Sequence, residues 1–236
     1  MLTVEGIHTY IGISHILHGV SLEVNKGEIV CLLGRNGVGK STTLKSIMAL
    51  TPPKEGSIRF EGDNLTGRHT YEVAKRGISY IPEDRRIFPM LTVKENLVLG
   101  TKINPDLTPE RKVDNLKKVW NYFPVLNNKR NLLGGILSGG EQQMLTIARG
   151  MMGSPKLMLI DEPCEGLAPI IVQELAKIIT KMCKDEEMTM LLVEQNANVA
   201  LKLADRGYVL EKGEVVFEGT GEEMRCSEEV KSCCGV

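Results

Sequence analysis

Short apolar runs of strand length alternate along this chain with stretches of helical period. Residues 28–33, apolar after Glu28 and bounded by Gly27 and Gly34, carry the mark of a strand buried on both faces. A helical pattern follows over residues 40–50 and is stopped by Pro52-Pro53. Residues 20–24 read as an earlier strand, 57–61 alternate like an edge strand, and Ile78–Ile81 is a short strand cut by Pro82. Residues 92–153 are then mostly helical, broken at Pro105, Pro109 and Pro124. Strands return at Leu157–Asp161 and Thr189–Glu194 around a helix over 170–184, and Lys212-Gly213 marks a hairpin between 208–210 and 215–217. The alternation predicts an α/β fold with a parallel sheet and crossover helices, into which a helical segment is inserted.

The first strand-to-helix junction carries candidate chemistry. Gly34-Arg35-Asn36-Gly37-Val38-Gly39-Lys40-Ser41 fits the spacing of a phosphate-binding loop. Glycines let successive N–H groups turn toward one phosphate, and the following helix offers its positive end to the same anion. Lys40 adds charge at the β- and γ-phosphates, and the Ser41 hydroxyl is a ligand for Mg²⁺. Gly34, Asn36, Gly37, Gly39, Lys40, Ser41 and Thr42 are therefore the candidate ATP-binding residues of this loop.

The strand at Leu157–Asp161 ends in two carboxylates. Ligands of open α/β sheets lie at the carboxyl ends of strands. Asp161 is placed to join the Mg²⁺ shell, and Glu162 to orient and deprotonate an attacking water. A third motif, Leu137-Ser138-Gly139-Gly140-Glu141, puts an N-cap serine and two glycines at the start of a helix, a second anion-binding helix start on one chain. Two such sites imply that Ser138, Gly139, Gly140 and Glu141 face a partner's nucleotide.

The motif 137–143 resembles the LSGGQ-type signature of ABC ATPases. With segments 81–89, 161–169 and 193–197, essentially the whole chain is similar to the ATPase subunits of branched-chain amino acid importers, as the second ATPase of such a pair, within a group that includes urea importers. The resemblance implies a P-loop NTPase of ABC type, with a RecA-like parallel core, an N-terminal antiparallel β part and an inserted helical subdomain. Residues 1–84 and 154–236 would form the nucleotide-binding core and 85–153 the helical subdomain. It further implies a nucleotide-sandwich dimer with a second ABC ATPase subunit, identical or different, docked on integral membrane permease subunits at the inner face of the membrane. An external solute-binding protein would act indirectly. The region at 85–89 and 92–99, with Ile87 and Phe88 as apolar anchors and Arg85 or Arg86 as polar contacts, would receive the permease.

Two positions depart from the general ABC pattern. Glu83 stands where glutamine usually contacts Mg²⁺ or the lytic water, and Gln195 stands where a histidine usually senses the γ-phosphate. Both replacements are usual for the importer subgroup, and both residues join Glu162 as candidate catalytic residues, with Glu83 also a candidate metal ligand. ABC proteins usually stack the adenine on an aromatic near the N-terminus. That slot aligns with Ile11, beside which Tyr10 is the candidate stacking residue.

Composition narrows the classes. Hydrophobic residues make up 42% and charged residues 25% of 236, with net charge −1, so no field favours nucleic acid. No run approaches the roughly 20 apolar residues of a membrane span, and residues 1–10 lack the features of a signal peptide, which points to the cytoplasm. The six cysteines fit no zinc template, and no structural metal is assigned. Residues 233–236 match a prenylation box only formally, because Gly235 is not aliphatic. Two other classes are set against the transport reading: a soluble ABC protein of DNA repair or translation, for which long coiled-coil insertions or a fused second cassette are missing, and a non-catalytic nucleotide binder, suggested by Glu83 and Gln195.

Overall fold

The computed structural model describes residues 1–228 together with Val230 and Cys233. Residues 234–236, and with them most of the prenylation-like terminus, lie outside the described residues.

Two sheets and a helical layer form the molecule. The chain begins with β1 (Leu2–Ile11) and β2 (Ser14–Val24), then β3 (Ile29–Leu33), α1 (Lys40–Ile47), β4 (Glu55–Phe60), the two-residue β5 (Asp63–Asn64), α2 (Thr70–Lys75) and β6 (Ile78–Ile81). The helices α3 (Val93–Gly100), α4 (Pro109–Tyr122), α5 (Pro124–Asn128) and α6 (Gly139–Met151) follow. The chain then returns through β7 (Leu157–Asp161), α7 (Pro169–Glu186), β8 (Thr189–Glu194), α8 (Ala197–Leu203), β9 (Arg206–Glu211), β10 (Glu214–Thr220) and α9 (Gly221–Cys226).

The larger sheet has the order β10-β9-β3-β8-β7-β6. All neighbours from β9 to β6 pair in parallel, and β10 closes one edge antiparallel. Strands β3, β7 and β8 are buried along their whole length, as expected of parallel strands covered on both faces. The smaller antiparallel sheet has the order β2-β1-β4-β5. Its strand β1 was not read from the sequence. Its alternating burial is interrupted at Gly6, and register shifts between Val4 and Ile7 break the period-two signal. The expected strand 20–24 is the end of the longer β2, and α1 stops at Ile47, short of the expected 50, because Ala49 turns to a left-handed φ of 56° before the prolines.

One apolar cluster fills the space between the two sheets and α1, with Leu17, Leu32, Leu44, Phe60 and Leu159 among its members. A second joins the other face of the large sheet to α3–α7, through Ile160, Met144, Leu145, Phe123 and Ile179. The sheet is therefore clamped from both sides. Its carboxyl edge is left to the loops after β3, β8, β7 and β6, four strands that are adjacent in space.

Candidate functional site

Each of those four loops carries a residue singled out from the sequence. The register pairs Leu33 with Glu194, Val193 with Asp161 and Ile160 with Ile81, so the strand ends are level. The phosphate loop leaves β3, Gln195 follows β8, Asp161 and Glu162 end β7, and Glu83 follows β6 through Pro82.

Helix α1 has Gly39 as its N-cap, with φ 112° and no side-chain cap. A Cβ at Gly39 would stand 2.6 Å from Leu17 Cδ2, so the left-handed turn and the close approach to β2 both demand glycine. Intrahelical bonding begins at Thr43, whose N–H reaches the Gly39 carbonyl at 2.9 Å, and the first-turn N–H groups of Lys40, Ser41 and Thr42 precede any helical acceptor. No acidic side chain occupies this first turn. The result is an uncapped helix start facing a hollow of about 290 Å³, lined by Asn36, Gly37, Gly39, Lys40, Ser41, Thr42, Glu83, Glu162 and Glu165.

Within it, Lys40 is only 3% exposed and pairs with Glu162 Oε1 at 3.0 Å, while its Nζ also donates to the Arg35 carbonyl at 3.0 Å. The Ser41 hydroxyl donates to Asp161 Oδ1 at 2.8 Å, and the Tyr80 hydroxyl donates to Asp161 Oδ2 at 3.0 Å. Burial raises the pKa of Asp161, against the hydrogen bonds from Ser41 and Tyr80 that favour the carboxylate. A serine hydroxyl and a carboxylate in contact at the mouth of a phosphate loop form the donor pair that fits a hard divalent cation. Glu162 has a left-handed φ of 42°. Non-glycine backbone in sparsely populated regions costs about 1–3 kcal/mol, is seen at functional sites, and persists where the surroundings fix it. Here the Glu162 N–H is held by the Val193 carbonyl at 3.0 Å.

Glu165 was missed as a site residue. Burial, then hydrogen bonds with Glu83 and Glu162, push its carboxyl up to about 7. The signal was present, since Glu165 stands three residues past Glu162 in the same acidic segment, but its convergence with Glu83 is a matter of tertiary structure. Gln195 does not line the phosphate hollow. It lies in an adjoining one of about 640 Å³ that shares Glu162 and Glu165 and is bounded by Glu194 and Asn196.

Tyr10 is not among the residues that line the phosphate hollow. Its ring stacks on His15 with centroids 4.1 Å apart, and Lys54 Nζ stands 4.3 Å from its centroid. The phosphate hollow is bordered by Ile11 and Ile16 instead. Side chains alternate across a strand, so Tyr10 and its neighbour Ile11 face opposite sides of β1. Ile11, not Tyr10, borders the hollow, and the Tyr10 ring is engaged with His15 and Lys54.

The signature segment is not part of either hollow. Ser138 caps α6, accepting from the Glu141 N–H at 3.4 Å, while Glu141 Oε2 accepts from the Ser138 N–H at 3.1 Å. Lys129 donates to Glu141 Oε1 at 2.6 Å. Cβ atoms at Gly139 and Gly140 would stand 3.0 Å from Arg85 Nη1 and 2.8 Å from Ile171 Cγ2, so both glycines admit close neighbours. At the proposed docking loop, Phe88 is 49% exposed with the Arg149 guanidinium 5.3 Å from its ring centre. Arg86 pairs with Asp84 at 2.9 Å, Ile87 packs on the helical-side core, and Arg85 turns toward Gly139.

A family model described as "ABC transporter" matches residues 17–165, from β2 through the phosphate loop and signature to Glu165. The chain belongs to the ABC transporter family. Among ABC proteins it is 46% identical over 231 residues to the high-affinity branched-chain amino acid transport ATP-binding protein BraG of Pseudomonas aeruginosa, covering 98% of this chain and 97% of that one. It is 35% identical to the lipopolysaccharide export system ATP-binding protein LptB of Haemophilus influenzae, covering 98% and 95%. An ATP-binding cassette of an ABC transporter solved in its ADP conformation superposes with TM-score 0.85 at 28% identity, covering 99% of this chain and 97% of that one. This ABC protein is thus an ATPase cassette, and the fold read from its sequence is the fold it has. No helix among the described residues is long and apolar enough to cross a membrane.

Proposed function

We propose that this chain is the ATP-hydrolysing subunit of an importer of branched-chain or other hydrophobic amino acids, acting as one half of a nucleotide-sandwich dimer docked on membrane permeases at their inner face. The carrying observation for hydrolysis is the meeting of Lys40, Ser41, Asp161 and Glu162 at the uncapped start of α1. The amino acid class is supported by the 46% identity to BraG, against 35% to an export cassette.

The residues divide the work. The N–H groups at the start of α1 and the Lys40 ammonium bind the β- and γ-phosphates. Ser41 and Asp161 would hold Mg²⁺, with Glu83 beside them, and the ion supplies positive charge against the triphosphate. An arriving γ-phosphate competes with Glu162 for Lys40, so binding also frees the carboxylate. Glu162 then takes a proton from the attacking water while Gln195 hydrogen-bonds the water or γ-phosphate. Ser138, Gly139, Gly140 and Glu141 close on the partner's nucleotide, and Phe88 anchors the permease. The solved dimer of a cassette bound to ADP and Pi, 26% identical with TM-score 0.82 over 93% of this chain and 98% of that one, supports the paired arrangement.

Glu162→Gln is expected to lower kcat by about 10²–10⁴, the range for loss of a general base, with nucleotide binding retained. Undiminished turnover would remove Glu162 from its role. The rival substrate class, urea or short amides, is separated from amino acids by which solute-binding and permease subunits co-purify. Recovery of ribosomes or nucleic acid with no permease would favour a soluble ABC protein.

A further inference from the structure

Strand β8 lies between the strand that feeds the phosphate loop and the strand that ends in Asp161. After four apolar residues it closes with Glu194, a carboxylate only 3% exposed. Burying a carboxylate is unfavourable unless donors surround it. The donors here come from two different loops. The Cys164 N–H reaches Glu194 Oε1 at 3.1 Å, and while burial raises the Glu194 pKa, hydrogen bonding from Cys164 and from the Asn196 backbone favours the carboxylate. Cys164 lies two residues past Glu162, and Asn196 directly follows Gln195. Glu162 itself sits at a left-handed φ of 42°, and the turn it opens is closed by the Glu165 N–H on the Glu162 carbonyl at 3.2 Å. A strained turn of this kind keeps its shape only while neighbours hold both of its ends.

We infer that Glu194 is a positioning residue for hydrolysis: its side chain ties the loop bearing Glu162 to the loop bearing Gln195, so that both approach the γ-phosphate in one fixed relation. The inference rests on the reading of Glu162 as the base. A carboxylate suits the task because its two oxygens accept from several donors at once. Glu194 acts through the two loops it joins.

The test compares Glu194→Ala and Glu194→Gln in the full chain, measuring ATPase kcat and KM in the assembled dimer, and ADP affinity, melting temperature, and amide hydrogen exchange at Cys164 and Asn196 in the purified chain. Loss of the tie is expected to lower kcat of Glu194→Ala by about 10–100-fold, the scale of a small misplacement of a reacting group. KM and ADP affinity should stay within about twofold, since the phosphate loop is untouched. Glu194→Gln keeps one oxygen acceptor and should restore kcat to within about threefold of the parent. Exchange at both amides should quicken in the alanine variant and not in the glutamine one. If Glu194→Ala yields no folded chain, Glu194→Thr, with a shorter acceptor, is expected to show the same split of kcat from KM. Unchanged kcat in a folded variant lacking the carboxylate, a glutamine variant no better than alanine, or ADP affinity and melting temperature falling in step with kcat would each overturn the positioning role alone. A parent dimer that binds ATP but shows no ATPase activity would overturn both this role and the reading of Glu162.

Discussion

Helices α1 and α6 both begin in glycine-rich turns, yet their ends are built in opposite ways. The start of α1 has a glycine N-cap, no side-chain acceptor and no acidic residue in its first turn. The start of α6 has a full capping box, in which Ser138 and Glu141 satisfy each other's N–H groups, and Lys129 neutralises Glu141. Burial opposes the charge on Glu141, but the bonds from Lys129 and Ser138 outweigh it and hold its carboxyl below the ordinary value. The same box closes α3 through Thr92 and Glu95, and α9 through Thr220 and Glu223. By geometry alone α6 starts like an ordinary helix. An open helix end leaves its first N–H groups for water or an anionic ligand, whereas a capped one has donors already satisfied by its own side chains. The difference fits the proposed division, in which α1 captures nucleotide and α6 closes on the partner's.

Replacing Lys40 strikes the open end and should have the largest effect. Two charge-assisted bonds to phosphate, at about 1.5–3 kcal/mol each, correspond to roughly 10²–10⁴ in affinity. Lys40→Ala is therefore expected to abolish tight ATP binding in calorimetry on the dilute chain. Retained affinity would mean that the backbone amides alone hold the triphosphate and that the loop's lysine serves only its pair with Glu162.

The closed end is probed by Ser138→Ala. Loss of an N-cap costs about 1 kcal/mol, or roughly 2–4 °C in melting temperature for a chain of this size. Nucleotide affinity of the dilute chain should not move, while hydrolysis in the assembled dimer should fall. A change in affinity at monomer concentrations would break the comparison, because it would place the α6 start in contact with this chain's own nucleotide.

How far the sequence led differs between these ends. The phosphate loop was legible because its chemistry is local: the glycines, Lys40 and Ser41 lie within one turn, and β3, β7 and β8 announce themselves as unbroken apolar runs. The acidic pair at the end of β7 was legible for the same reason. What was not legible depends on residues brought together from afar. Glu165 joins Glu83 across two strands, Glu194 reads as the end of a strand until Cys164 and Asn196 are seen to point at it, and β1 hides behind a glycine-centred irregularity. The placement of Tyr10 apart from the hollow was not legible, because the sequence names an aromatic but not its face. The side of β1 it occupies is set by pairing with β2, where His15 lies opposite.

The smallest expected effect concerns the crowd of carboxylates between the two ends. Glu165 shares hydrogen bonds with Glu83 and Glu162, which, added to desolvation, lift its carboxyl from 4.5 to about 7. A raised carboxyl pKa means that the folded state holds a proton more tightly than the unfolded state. Stability from this group is thus complete below the ordinary carboxylate range and declines as pH rises from about 4.5 to about 7. Its exposure to solvent keeps the contribution small. Glu165→Gln, which keeps the shape without the charge, should leave the melting temperature of the nucleotide-free chain unchanged at the acid end of that window and raise it slightly above neutral pH. An equal shift at both ends would show that Glu165 carries its charge without strain, and that the acidic side of the site is as self-sufficient before nucleotide arrives as the capped start of α6.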